Sequence, residues 1–160
     1  MGFLKRTCLR LKFSERLIIK FDDFIGTWHL AGFKLVNETG TESKPWLEGS
    51  KGMLLYGADG YMSAIISIID KTGGKPKHLA YCGPFEVEHD RVIHHVDMSS
   101  EAQLVGQAQT RLTDLNDGIL TLTSSPSIYG GIKSKALLSW KRTKPGNGKS
   151  SSVIKRLPTG

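Results

Sequence analysis

From residue 26 onward, apolar residues recur in short runs with period-2 alternation, broken by Gly, Asn, Asp and Pro. That spacing is the pattern of half-buried strands rather than of helices. Trp28 to Val36 forms the first run and ends at the turn cluster Asn37-Glu38-Thr39-Gly40. Lys44 to Ser50, containing Pro45, reads as a loop or short edge. Gly52 to Tyr56 and Tyr61 to Ile69 follow, joined by Ala58-Asp59-Gly60; an Asp-Gly pair between two apolar runs is a strong hairpin signal. After the Gly/Pro/Lys loop Lys71 to Lys77, Leu79 to Glu88 makes a fourth strand, with Pro84 marking an edge or bulge. Arg91 to Asp97, Gln103 to Thr113, Ile119 to Ser124 and Lys135 to Arg142 complete eight predicted strands.

Consecutive hairpins without an intervening helix predict an all-β, antiparallel up-and-down meander. Eight strands are about what closes into a barrel that can hold side chains and one small ligand, and closure removes the unpaired edges of an open sheet. A β-sandwich is the competing architecture. The predicted organisation is a short basic N-terminal segment at 1–22 with room for a short helix, a barrel domain at 23–143, and a disordered tail at 144–160.

The net charge of +7 changes little, because of where it lies. Residues 1–20 carry +5 and residues 144–160 carry +4, leaving the segment 21–143 at −2. A folded nucleic-acid module concentrates positive charge on a binding face, so no specific nucleic-acid partner is expected; an interaction role for the basic ends is the weakest of three functional readings. The two cysteines, Cys8 and Cys82, lack metal-knuckle or redox spacing, and reduced thiols in the cytoplasm are the simplest expectation. No apolar run reaches the roughly 20 residues of a transmembrane helix. Nothing in the residue pattern reports oligomeric state.

Gly26-Thr27-Trp28 opens the first strand and Trp140-Lys141-Arg142 closes the last. In a closed meander these strands are neighbours, which would place Arg142 over the Trp28 indole in a cation–π contact. This arrangement resembles the lipocalin superfamily. Longer blocks, GTWHLAGF at 26–33, GMLLYGADGYMSA at 52–64, YCGPFEVEHDRVIHHV at 81–96, GQAQTRL at 106–112, LTLTSSP at 120–126 and LLSWKR at 137–142, are similar to the bacterial and fungal lipocalin-like domain family. The resemblance implies a lipocalin/calycin-type barrel with Gly26, Trp28, Trp140 and Arg142 as structural residues. Where members of that family carry a longer, partly helical insertion, only Asp70 to Ala80 stand here, which shortens any lid.

On the sixth predicted strand Gln103, Val105, Gln107, Gln109 and Arg111 share one face. Alternation alone leaves that row facing either solvent or a polar interior; the resemblance favours the interior, since Gln109 and Arg111 fall on motif positions. An enclosed arginine then requires a carboxylate, carbonyl or water beside it. His94 and His95 are consecutive on one strand, so one of them must point inward. Tyr61, Ser63 and Tyr81 complete the candidate ligand-binding set as further polar groups at motif positions. The five histidines show no metal-ligand spacing on a common face, no nucleotide loop stands between strand and helix, and no cofactor is expected. The leading reading is a barrel binding a small hydrophobic or amphipathic molecule. The alternative is an isomerase- or cyclase-type enzyme acting on a small metabolite in the same pocket, with His94, His95, Tyr81 and Arg111 as candidate catalytic groups.

Overall fold

The computed structural model describes residues 19–46, 48–71 and 74–144. The expected basic leader, through residue 18, and the expected tail from residue 145 lie outside the described residues. Among the described residues eleven strands run in chain order: β1 (Gly26–Asn37), β2 (Glu42–Ser43), β3 (Lys51–Tyr56), β4 (Tyr61–Ile68), β5 (Lys77–Glu88), β6 (Arg91–His95), β7 (Met98–Ser99), β8 (Ala108–Asn116), β9 (Ile119–Ser124), β10 (Ser127–Tyr129) and β11 (Ile132–Arg142). Eight of them, β1, β3, β4, β5, β6, β8, β9 and β11, pair antiparallel in sequence order, and β11 returns to β1. The barrel is closed, as the meander predicts. β2, β7 and β10 are short additions to its rim.

Closure rests on the Trp28↔Arg142 register between the first and last strands. The Arg142 guanidinium lies 4.2 Å from the Trp28 ring centroid and donates to the Asp23 and Ile25 carbonyls. Those carbonyls belong to the end of α1 (Phe21–Phe24) and the residue after it, so one side chain joins the last strand, the first strand and the entering chain. Trp28 Nε1 donates to the Phe24 carbonyl at 2.8 Å. Below this level the barrel is filled by Phe24, Trp28, Tyr56, Phe85, Val92 and Leu120, all buried, with Phe21 stacked on Phe85. Among the described residues the core therefore already includes Ile19, ahead of the first strand. Replacing Arg142 with alanine removes the cation–π contact and leaves two carbonyls without their donor, a loss of about 1–3 kcal/mol. Thermal denaturation should show the melting temperature falling by roughly 5 °C; a shift under about 1 °C would mean that the contact carries no closure energy.

The sixth predicted strand needs correction. Ala102–Leu104 form a 3-10 turn, Gly106 takes φ +77°, and pairing resumes at Ala108. Gln103 and Val105 are thus not on a strand face with Gln109 and Arg111. A left-handed glycine ends the alternation that the side chains alone suggest. β6 likewise stops at His95 rather than Asp97. Between the Phe85–His94 and Cys82–Met98 pairs, one more residue stands on the β6–β7 side than on β5. This is a bulge, and it bends the chain over Gly83.

Candidate functional site

Above the packed floor, the barrel interior opens into a cavity of about 780 Å³. Its upper wall is apolar: Phe33 and Leu35 from β1, Ile66 and Ile68 from β4, Leu79 from β5, and Ala136 and Leu138 from β11. Period-2 alternation turns each of these inward while the intervening residues face out. At the rim Trp46 stacks on Phe33 with centroids 3.6 Å apart, and Ile128 and Ile132 line the opening while exposed to solvent. A large apolar recess with a few converging polar groups is the usual form of a small-molecule site.

The polar groups lie deeper. His94, on β6, is 1% exposed, and both ring nitrogens are engaged: Nε2 is 2.7 Å from Tyr56 Oη and Nδ1 is 3.0 Å from Tyr81 Oη. A neutral imidazole carries one N–H donor and one acceptor, so one tyrosine donates to it and the other accepts. Burial first, then the Arg111 charge and the neighbouring His95, push the His94 pKa down to about 3. Burial holds the Tyr56 hydroxyl well above its ordinary value and also raises Tyr81, the latter opposed by Arg111. Tyr56–His94–Tyr81 is therefore an uncharged hydrogen-bonded chain at neutral pH.

Arg111, on β8, supplies the positive charge. Its Nη1 donates to the Thr110 carbonyl at 2.9 Å and its Nη2 to Gln109 Oε1 at 3.2 Å. The ion pairs among the described residues do not include it, and the cavity wall contains no Asp or Glu. Trp140, 2% exposed, also lines the cavity, and its Nε1 has no acceptor.

Of the residues singled out in the sequence, Tyr81, His94 and Arg111 meet at the cavity, whereas Gln109 is not in its wall: it is the register partner of His94 and accepts from Arg111 Nη2. His95 faces out, with Nε2 3.2 Å from Glu86 Oε1. Tyr61 and Ser63 are also on the outer face, Tyr61 being 56% exposed. Pairing of Leu54 with Ala64 and of Tyr56 with Met62 turns the other half of β4 inward, so Tyr61 and Ser63 do not line the site. Tyr56 is the residue that sequence reasoning missed. Its signal was available, because it shares an alternating face with Gly52 and Leu54. Among the described residues no three His, Cys, Asp or Glu side chains converge to hold a metal ion.

Residues 75–143 match the model of the lipocalin-like domain family. The chain is 35% identical over 74 aligned residues to the 4'-hydroxy-3'-methoxypropiophenone carrier protein of Aspergillus oryzae, an alignment covering 41% of this chain and 67% of that protein. With a closed eight-stranded barrel around an internal cavity and these two matches, the chain belongs to the lipocalin-like domain family.

Proposed function

We propose that the protein binds and carries a small hydrophobic or amphipathic molecule inside the barrel, apolar body toward Phe33, Ile66 and Leu138 and polar end toward Tyr81, His94 and Arg111. The observation that carries this reading is the cavity of about 780 Å³ with an apolar wall and one polar corner. The relative's name describes carriage of an aryl ketone bearing a phenol, a compound with the same division between apolar ring and oxygen acceptors. A cytoplasmic setting belongs to the same reading, on the ground that two cysteines without metal-knuckle or redox spacing are most simply reduced thiols.

Native mass spectrometry of the protein after incubation with a hydrophobic metabolite extract tests the proposal. One unchanged small molecule retained per barrel is the expected result, and Ala136→Phe, which puts a ring into the cavity, should abolish retention. A bare protein, with an extract component consumed and a new mass formed, would instead support an isomerase or cyclase. That second reading is favoured by the Tyr56–His94–Tyr81 chain beside Arg111. Against it, a histidine whose pKa lies at about 3 is a weak proton acceptor at neutral pH.

A further inference from the structure

Arg111 stands in the wall of an otherwise uncharged cavity. The titratable groups that face it are Tyr81 from β5, His94 from β6 and Tyr56 from β3. Val92 and Ser124 are its register partners on β6 and β9 and carry no charge, and Gln109 and Thr110 offer neutral oxygens only. A guanidinium carries five N–H donors and a charge that neutral acceptors do not cancel. Among the described residues no counter-ion stands beside it, and a part-buried cation left so is costly to the protein on its own. The charge is therefore explained by something that arrives from outside, and the apolar upper wall limits that visitor to a molecule with a long or broad hydrophobic body.

We infer that the cavity selects a single-headed hydrophobic anion, a carboxylate-type oxyanion on an apolar body, whose charged oxygens bind the Arg111 guanidinium while the body fills the space between Phe33, Ile66 and Leu138. This rests on the binding function proposed above and names the class of ligand for the same site. With Tyr56, His94 and Tyr81 uncharged, a neutral ligand of equal shape would leave the Arg111 charge unbalanced, so affinity should separate ionised from neutral versions of one molecule.

The probes are cis-parinaric acid and its methyl ester, which share a fluorescent polyene body and differ in the charged head; titration at pH 8 reads both. The acid should bind wild type at least about tenfold more tightly than the ester. Arg111→Met should weaken the acid roughly 10- to 100-fold, the scale of a lost charge-assisted contact, and leave the ester within about threefold. Arg111→Lys, which keeps the charge, should retain a preference for the acid. The ligand-free Arg111→Met protein should melt no lower than wild type, since the substitution removes an uncompensated cation; a merely structural arginine would show the reverse. Equal binding of acid and ester to wild type, or acid binding unchanged in Arg111→Met, overturns the inference and leaves the binding function standing. If neither probe enters, both fall. Should Arg111→Met fail to fold, the wild-type comparison and the Arg111→Lys titration decide the matter.

Discussion

Replacing Gly83 with alanine is expected to unfold the barrel or to cost it at least about 3–4 kcal/mol, among the largest losses a single methyl group can produce. A Cβ built on Gly83 would lie 1.9 Å from the His95 carbonyl oxygen and 2.9 Å from the Asp97 nitrogen. Both are backbone atoms of the bulge that carries β6 into β7, where Asp97 N–H donates to the Cys82 carbonyl. Neither can swing aside as a side-chain tip could. Relief requires moving the bulge, and the bulge follows directly on His94, so the chain linking Tyr56 to Tyr81 moves with it. The control is Gly60→Ala in the Asp59-Gly60 turn. Gly60 has φ +86° and nothing within 4 Å of its virtual Cβ, so that change pays only for the left-handed backbone, about 1–2 kcal/mol. Thermal melts should separate the two variants by several degrees, with Gly83→Ala far lower and unable to retain a cavity ligand. Equal melting temperatures would show that backbone conformation, and not the close approach at the bulge, is what requires glycine at 83.

The contrast between those two glycines reflects what was legible in the sequence. Gly60 was readable because an Asp-Gly pair between two apolar runs specifies a hairpin locally, and β3 and β4 pair as that turn demands. The barrel was readable for a similar reason, and the Gly26-Thr27-Trp28 and Trp140-Lys141-Arg142 segments identified the strands that close it. Gly83 was not. Its constraint comes from a carbonyl twelve residues away, which only the bulge brings near. The choice of inward face was legible where one face is plainly apolar and ambiguous elsewhere. In Tyr61-Met62-Ser63-Ala64-Ile65-Ile66 the set Met62, Ala64 and Ile66 is wholly apolar and the set Tyr61, Ser63 and Ile65 mixed, so alternation favours the first as the inner face, and cross-strand register turns it inward; Tyr61 and Ser63 had entered the candidate set only as motif positions of the resemblance. For His94 and His95 the sequence requires one inside; pairing of Phe85 with His94 decides which. The polar row from Gln103 to Arg111 failed for a third reason, since a 3-10 turn and a positive-φ glycine interrupt what looks continuous when only side chains are considered.

The stability of the barrel should fall steeply with acid below about pH 6.5, and His94 should account for much of the fall. In the unfolded chain this histidine takes up a proton near its ordinary pKa of about 6.5; in the folded barrel it resists protonation until about 3. Between those values the unfolded state binds one more proton than the folded state, so stability declines as pH drops, by about 1.4 kcal/mol per pH unit. Above pH 6.5 the contribution is complete and the slope vanishes. Urea denaturation of wild type and of His94→Gln, compared from pH 8 to pH 4.5, isolates the effect from that of the carboxylates, which both proteins share. The variant will be less stable at pH 8, because Tyr56 and Tyr81 lose a partner that meets both hydroxyls. Its curve should then run flatter, so that the gap to wild type narrows by roughly 2–3 kcal/mol at pH 4.5. Parallel curves would mean that His94 takes up its proton in the folded barrel near 6.5, as it does unfolded, and the chain would then be uncharged only above that pH. The same neutrality constrains binding. While the fold persists, Tyr56, Tyr81 and His94 all stay uncharged between pH 8 and pH 5, so an uncharged probe should bind wild type equally well across that range. An acid probe should weaken only as its own head group takes up a proton.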